Sequence, residues 1–155
     1  MVHFKEDWMK KRERFLQAVR ENIGIPYIYG GQSRKGADCS GFVVLCARQA
    51  GIRMPDRSAA AMVGEYFHDF KKMPGLAEPG DLLFYGKTAM AITHVMVVIE
   101  RWADGTLITA GARGGDSTTK TVKKAKQNKA FVDVCMDYWP ERLQMAVNPF
   151  GRWGE

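Results

Sequence analysis

The chain is expected to fold as an α+β domain, with helices first and a mainly antiparallel sheet second. Three observations carry this expectation. Apolar residues recur at helical spacing near the start of the chain, and short apolar runs of strand length dominate from Asp81 onward. An Asp104-Gly105 pair separates two of those runs, as a hairpin turn does. With 155 residues, 46% of them apolar, the chain suffices for one domain, residues 1–155, with a real core.

Taken in order, Phe4, Trp8, Phe15, Val19 and Ile23 stand three or four residues apart, or multiples of that, among alternating charges. This is an amphipathic helix that ends at Gly24 and Pro26. Gln32 to Gly36 is polar and glycine-bearing and reads as an exposed loop. Asp38 can cap a second helix whose buried stripe is Phe42, Val43, Cys46 and Ala50, with Gly51 as its stop. Ser58 can cap a short helix over Ala59 to Phe67. After Pro74-Gly75 and Pro79-Gly80 the period changes. Asp81 to Tyr85, Thr93 to Arg101, Thr106 to Ala110 and Phe131 to Met136 read as strands, with Trp102 to Gly105 turning the second into the third. Ser117 to Asn128 is polar and lysine-rich, a surface helix.

The bulk numbers exclude more than they choose. Lys and Arg number 23 against 17 Asp and Glu, a net charge of +6. That favours polyanionic partners without selecting among wall polymer, nucleic acid and lipid. No aromatic residues interleave the basic ones as in a nucleic-acid stacking surface, so no nucleic-acid partner is expected. Thr88 to Ile99, an uncharged run as long as any in the chain, is 12 residues, where spanning a bilayer takes roughly 20 apolar ones. Membrane insertion is not expected. Residues 1–20 hold no continuous apolar stretch of the kind an export signal needs. Three cysteines, Cys39, Cys46 and Cys135, form no metal or redox spacing, and no His-Glu-x-x-His set exists, so neither metal nor cofactor is expected. Gly80 to Thr88 echoes a phosphate loop, but its glycine spacing is wrong and its middle is strand-like.

Cys39 stands where a helix begins. Unpaired backbone N–H groups there lower a thiol's pKa, and the small Ser40 and Gly41 leave room for a substrate backbone. A cysteine at a helix start is equally explained by packing, as Cys46 and Cys135 are. Three histidines are candidates for a base. His3 and His68 have structural or solvent roles open to them, whereas His94 opens an otherwise aliphatic strand.

The ordered motifs resemble the NlpC-type cell-wall peptidases, a family of papain-like cysteine enzymes. Pro26-Tyr-Ile-Tyr-Gly-Gly31 is similar to the family's entry motif and Ala37-Asp-Cys-Ser-Gly-Phe-Val43 to its nucleophile motif. Met54-Pro-Asp-Arg-Ser58 resembles the family's next loop, Glu78-Pro-Gly-Asp-Leu-Leu-Phe84 the first sheet strand, and Thr93-His-Val95 the general-base motif. The match covers about residues 25–110. It implies a papain-like fold, with Cys39 as nucleophile and His94 as the base. It also implies a pocket of Tyr27, Asp38 and Ser40, with Arg57 of the next loop, for the amino end of a peptidoglycan stem peptide. Asp38 as a mere cap, and Tyr27 as a packed ring or an oxyanion donor, remain equally open readings. The family orients its histidine with a polar residue on the next strand, often His, Asn or Gln. Alignment puts Thr109 there, a weaker partner for an imidazolium.

Arg113-Gly-Gly-Asp-Ser-Thr-Thr119 with Lys123, Lys124 and Lys126 resembles, more loosely, the segment after the catalytic strands in bacteriophage-encoded members. It reads either as the far side of a cleft or as a solvated connector. The resemblance implies hydrolysis of the amide between γ-linked D-glutamate and the diamino acid. The alternatives are a cell-wall amidase, a cross-bridge endopeptidase, or a non-catalytic phage assembly or wall-binding protein of the same fold. With no export signal in the chain, delivery to the wall is expected through phage lysis, a phage tail or a secretion apparatus.

Overall fold

The computed structural model describes residues 2–154, with side chains from Met9 onward. Helix α1 (Val2–Glu21) forms where the periodicity predicts it and buries Phe15, Ala18 and Val19. The expected contacts of His3, Phe4 and Trp8 lie outside the described side chains. Ile23, expected on the buried stripe, falls beyond the helix end and is exposed, because Gly24 at φ 95° turns the chain away. Asn22, fully buried, then ties two helices together. Its Nδ2 donates to the Ala18 carbonyl at 2.8 Å and to Gln49 Oε1 at 2.6 Å, and its Oδ1 accepts from Arg34.

The segment expected as an open loop is a small hairpin, β1 (Gln32–Ser33) and β2 (Gly36–Ala37). Ser33 Oγ accepts the Lys35 N–H and so closes the turn locally, a bond that composition alone does not reveal. Asp38 caps helix α2 (Cys39–Gln49), which buries Phe42, Val43 and Cys46 and stops before Gly51 at φ 79°. Ser58 caps a single turn, α3 (Ala59–Ala61), which continues as one π-helical turn over Met62–Tyr66.

Six antiparallel strands complete the fold in the spatial order β3-β8-β4-β5-β6-β7. They are β3 (Lys71–Lys72), β4 (Leu82–Gly86), β5 (Ile92–Arg101), β6 (Leu107–Arg113), β7 (Phe131–Met136) and β8 (Leu143–Val147). The Trp102 turn is as expected, with Trp102 N–H donating to the Thr106 carbonyl at 2.9 Å. The segment that echoed a phosphate loop is the buried strand β4. Helix α4 (Val122–Gln127), capped by Thr121, is shorter than the polar stretch that predicted it.

Alternation divides the sheet. Leu82, Phe84, Val95, Val97, Ile108 and Ala110 face α1 and α2, while Leu83, Tyr85, Met96, Val98 and Leu107 face the connecting segments on the other side. Asp81, also buried, accepts from Lys72 Nζ at 2.8 Å and from the Glu78 N–H at 2.9 Å. The Pro-Gly-Asp turn into β4 is thereby tied to β3. Finally α5 (Pro149–Trp153) returns to α1, where Trp153 packs edge-on against Phe15 with ring centroids 5.1 Å apart.

Candidate active site

A cleft of about 390 Å³ is lined by Tyr27, Cys39, Thr93, His94, Arg113 to Asp116, Tyr138 and Trp139. Five parts of the chain meet there. Cys39 is the first residue of α2 and lies half-buried near the Val95 backbone of β5, one residue past His94. The sheet and the helix start thus bring together the two residues that sequence reasoning singled out.

The position of α2 depends on Gly41. A Cβ there would collide with the Gly31 carbonyl and reach within 2.8 Å of Asp38 Oδ1. The expectation that Gly41 makes room for substrate is therefore corrected: it makes room for the protein's own chain. Asp38 completes this junction. Its Oδ1 accepts from Gly41 N–H at 2.7 Å and from Ser40 Oγ at 3.3 Å, and its Oδ2 from Gly30 N–H at 2.8 Å. Capping is thus a duty the carboxylate performs, and neither Asp38 nor Ser40 lines the cleft. Arg57 does not line it either; its side chain is exposed and donates to the Asp56 carbonyl at 2.9 Å.

Burial pushes the Cys39 thiol up to about 11. The N–H groups of Val95, Ser40 and Cys39 pull the other way, and Asp38 adds to the rise. The expected lowering at a helix start is present but outweighed by desolvation. Burial lowers His94 to about 4, so its imidazole is neutral. The resting pair is thiol and imidazole. Tyr27, raised above the ordinary phenol range chiefly by burial and then by Cys39 and Asp38, stays protonated and able to donate. Its ring lies against Gly115, where a Cβ would run into it.

His94 sits opposite Tyr85 across the β4–β5 pair and touches two aromatic rings, Tyr85 at 5.7 Å and Tyr138 at 5.4 Å between centroids. Its Nε2 is buried and has no hydrogen-bond partner among the described residues. The bond expected from Thr109 is not made. Thr109 pairs with Val98, further along β5 from His94, and its hydroxyl donates to the Cys135 carbonyl at 3.2 Å. What encloses the imidazole is aromatic packing rather than a polar third residue.

Tyr138 and Trp139 lie beyond the stretch of motifs that sequence reasoning followed. They belong to a short strap after β7 in which Asp137 and Trp139 hold left-handed backbone, φ 43° and 45°. Such conformations are costly for residues with side chains and mark a segment held by its surroundings. Asp137 supplies the hold, its N–H donating to the Leu107 carbonyl at 2.9 Å and its Oδ1 accepting the Leu107 N–H. No sequence signal at these positions predicts it. Cys46 is core, as expected, whereas Cys135 is only half-buried. Among the described residues no three His, Cys, Asp or Glu side chains converge as a metal site, and no helix is long and apolar enough to cross a membrane.

A cysteine at the start of a helix, set against a histidine on an antiparallel sheet, defines a papain-like α+β domain. A family model described as the NlpC/P60 family matches residues 24–143, and the chain belongs to that family. The chain is 34% identical over 85 residues to a probable endopeptidase of Mycobacterium tuberculosis, covering 54% of this chain and 21% of that protein. It is 39% identical over 77 residues to the gamma-DL-glutamyl hydrolase of Bacillus subtilis, covering 47% and 17%. The chain therefore spans about a fifth of the length of these relatives. Among solved structures, the P60 domain of an antigen from M. avium paratuberculosis superposes with a TM-score of 0.64 at 19% identity, over 95% of this chain and 98% of that one. The NlpC/p60 domain of the peptidoglycan hydrolase SagA gives 0.60 at 24%, over 88% and 97%. These two show the fold.

Proposed function

We propose that this protein is a cysteine peptidase that hydrolyses peptidoglycan stem peptides at the amide between γ-linked D-glutamate and the diamino acid. The observation that carries the reading is the meeting of Cys39 and His94 in one cleft. The relatives support the chemistry: probable endopeptidases, a gamma-DL-glutamyl hydrolase and a peptidoglycan hydrolase domain.

The steps follow from the protonation states. Neutral His94 takes the Cys39 proton as sulfur attacks the scissile carbonyl, so that thiolate forms only as it reacts. The oxyanion is met by the Cys39 backbone N–H and by the Tyr27 hydroxyl, which burial keeps protonated. His94 then gives the proton to the leaving amine as the C–N bond breaks. A water, deprotonated by the same imidazole, cleaves the thioester and restores the thiol. Asp38 and Ser40 stand beside Cys39 in the chain, just outside the cleft lining, where the Asp38 carboxylate retains acceptor capacity beyond its backbone bonds for the amino end of the stem. Delivery to the wall by a lysis system, a phage tail or a secretion apparatus belongs to the same reading.

The test is a digest of purified peptidoglycan by the wild-type protein and by Cys39→Ala, with fragments identified by mass spectrometry. Wild type should release fragments with a new D-glutamyl γ-carboxyl end and Cys39→Ala should release none. Equal release by both overturns the reading, and new muramoyl or cross-bridge ends reassign the bond.

A further inference from the structure

We infer that Arg113 is the specificity anchor of this cleft: it binds a substrate carboxylate beside the scissile bond, the α-carboxylate of the γ-linked glutamate. The inference rests on the peptidase reading above for the identity of the substrate, and on the structure for the site.

Arg113 is the last residue of β6 and lines the cleft with Cys39 and His94. Its place follows from register. Val97 pairs with Ala110, and continuing that antiparallel pairing sets Gly111 beside Met96 and Arg113 beside His94. The close approach of Gly111 to the Met96 sulfur agrees with this alignment. The guanidinium is held: its Nη2 donates to Asp133 Oδ2 at 2.7 Å, from the neighbouring strand β7. The Cys135 side chain of β7 lies beside the guanidinium as well, while Nε is buried and has no hydrogen-bond partner among the described residues. A planar fork with five donors, fixed along one edge and unsatisfied at Nε, suits a carboxylate. Arg113 is also the one cation among the cleft-lining residues.

The substrate geometry matches. In a γ-linked glutamate the free α-carboxylate is a few bonds from the γ-carbonyl that Cys39 would attack. A carboxylate held beside the base therefore places that carbonyl at the sulfur, and this kind of positioning separates a γ-linked from an ordinary peptide. A stem whose glutamate carries an α-amide loses the charge and offers donors to a donor, which a site built for a carboxylate rejects.

The experiment uses Cys39→Ala protein, which binds without turnover, titrated calorimetrically with three stem peptides. One carries free glutamate and diamino-acid carboxylates, the second a glutamate α-amide, the third an amidated diamino-acid carboxyl. The glutamate α-amide should bind about 10- to 100-fold more weakly than the free acid, and the third peptide should bind like the first. Arg113→Gln in the same background should bring acid and α-amide to equal affinity, and Arg113→Lys should keep part of the difference.

Equal affinity for acid and α-amide with Arg113 intact overturns the inference, as does a preference that survives Arg113→Gln. That first comparison decides even where Arg113→Gln does not fold. Weakening by the third peptide alone overturns the assignment to glutamate. Hydrolysis by unsubstituted protein is read separately. No cleavage together with a retained acid preference overturns the peptidase reading and leaves the Arg113 site standing.

Discussion

His94 is an imidazole kept neutral by burial, and the direction of its shift has two consequences. The proposed reaction needs the neutral imidazole, so kcat/KM should hold its value well below the ordinary histidine range and fall only as pH approaches about 4. An acidic limb centred near the ordinary value of 6.5 would show that the imidazole is solvated. Stability obeys the same sign. Between about 4 and 6.5 the unfolded chain binds a proton at His94 that the folded chain does not, so this contribution is complete above 6.5 and is lost as pH falls toward 4. Its size is on the order of 3 kcal/mol. His94→Asn should flatten that part of the stability profile, measured by urea unfolding from neutral pH down to about 4. At the same scale, Thr109 shows how a residue aligned with a functional position can be spent elsewhere, since its hydroxyl satisfies a buried strand carbonyl.

Helix α2 is the element that carries Cys39 into the cleft, and its start is fastened by one carboxylate. Asp38 accepts two backbone N–H groups from separate segments, so Asp38→Ala removes the helix cap and the tether to Gly30 together. The expected loss is about 1–2 kcal/mol in urea unfolding. Asp38→Asn should recover only the cap part, because its single amide oxygen accepts from the Gly41 N–H while its NH2 group faces the Gly30 N–H and cannot accept. If Asp38→Ala leaves stability unchanged, the cap is not what holds α2. The strap after β7 is the other element that shapes the cleft. Its left-handed residues hold Tyr138 edge-on to His94, so that an aromatic ring stands beside the imidazole in place of a polar partner.

On the scale of the whole molecule, the two ends of the chain close one core. Trp153 of α5 packs against Phe15 of α1, Phe67 and Phe150, all at 5.1 to 5.7 Å between centroids. Trp153→Ala should lower stability by about 3–5 kcal/mol, read as a fall in melting temperature. None of these four residues lines the cleft. Below the lowered transition, kcat/KM on a stem peptide should therefore stay near wild type, and a parallel loss of activity would show that the core and cleft are coupled.

Local chemistry determined a good part of this protein from sequence alone. The α+β order, the stripe of α2, its Asp38 cap, the Trp102 hairpin and four of the sheet strands were legible, because periodicity, capping and turn residues act over a few neighbours. Cys39 and His94 also stood out, since their motifs stand in order along the chain, and the structure sets both in one cleft. Tertiary structure alone decided the rest. The strands β3 and β8 carry too little pattern to be seen before β4 pairs with β8. Gly41 answers a carbonyl ten residues away, and the thiol's pKa is set by burial that no local motif encodes. Whether Thr109 or an aromatic strap encloses His94 depends on register and on a backbone conformation imposed by distant contacts, and long-range packing of that kind is what a linear reading lacks.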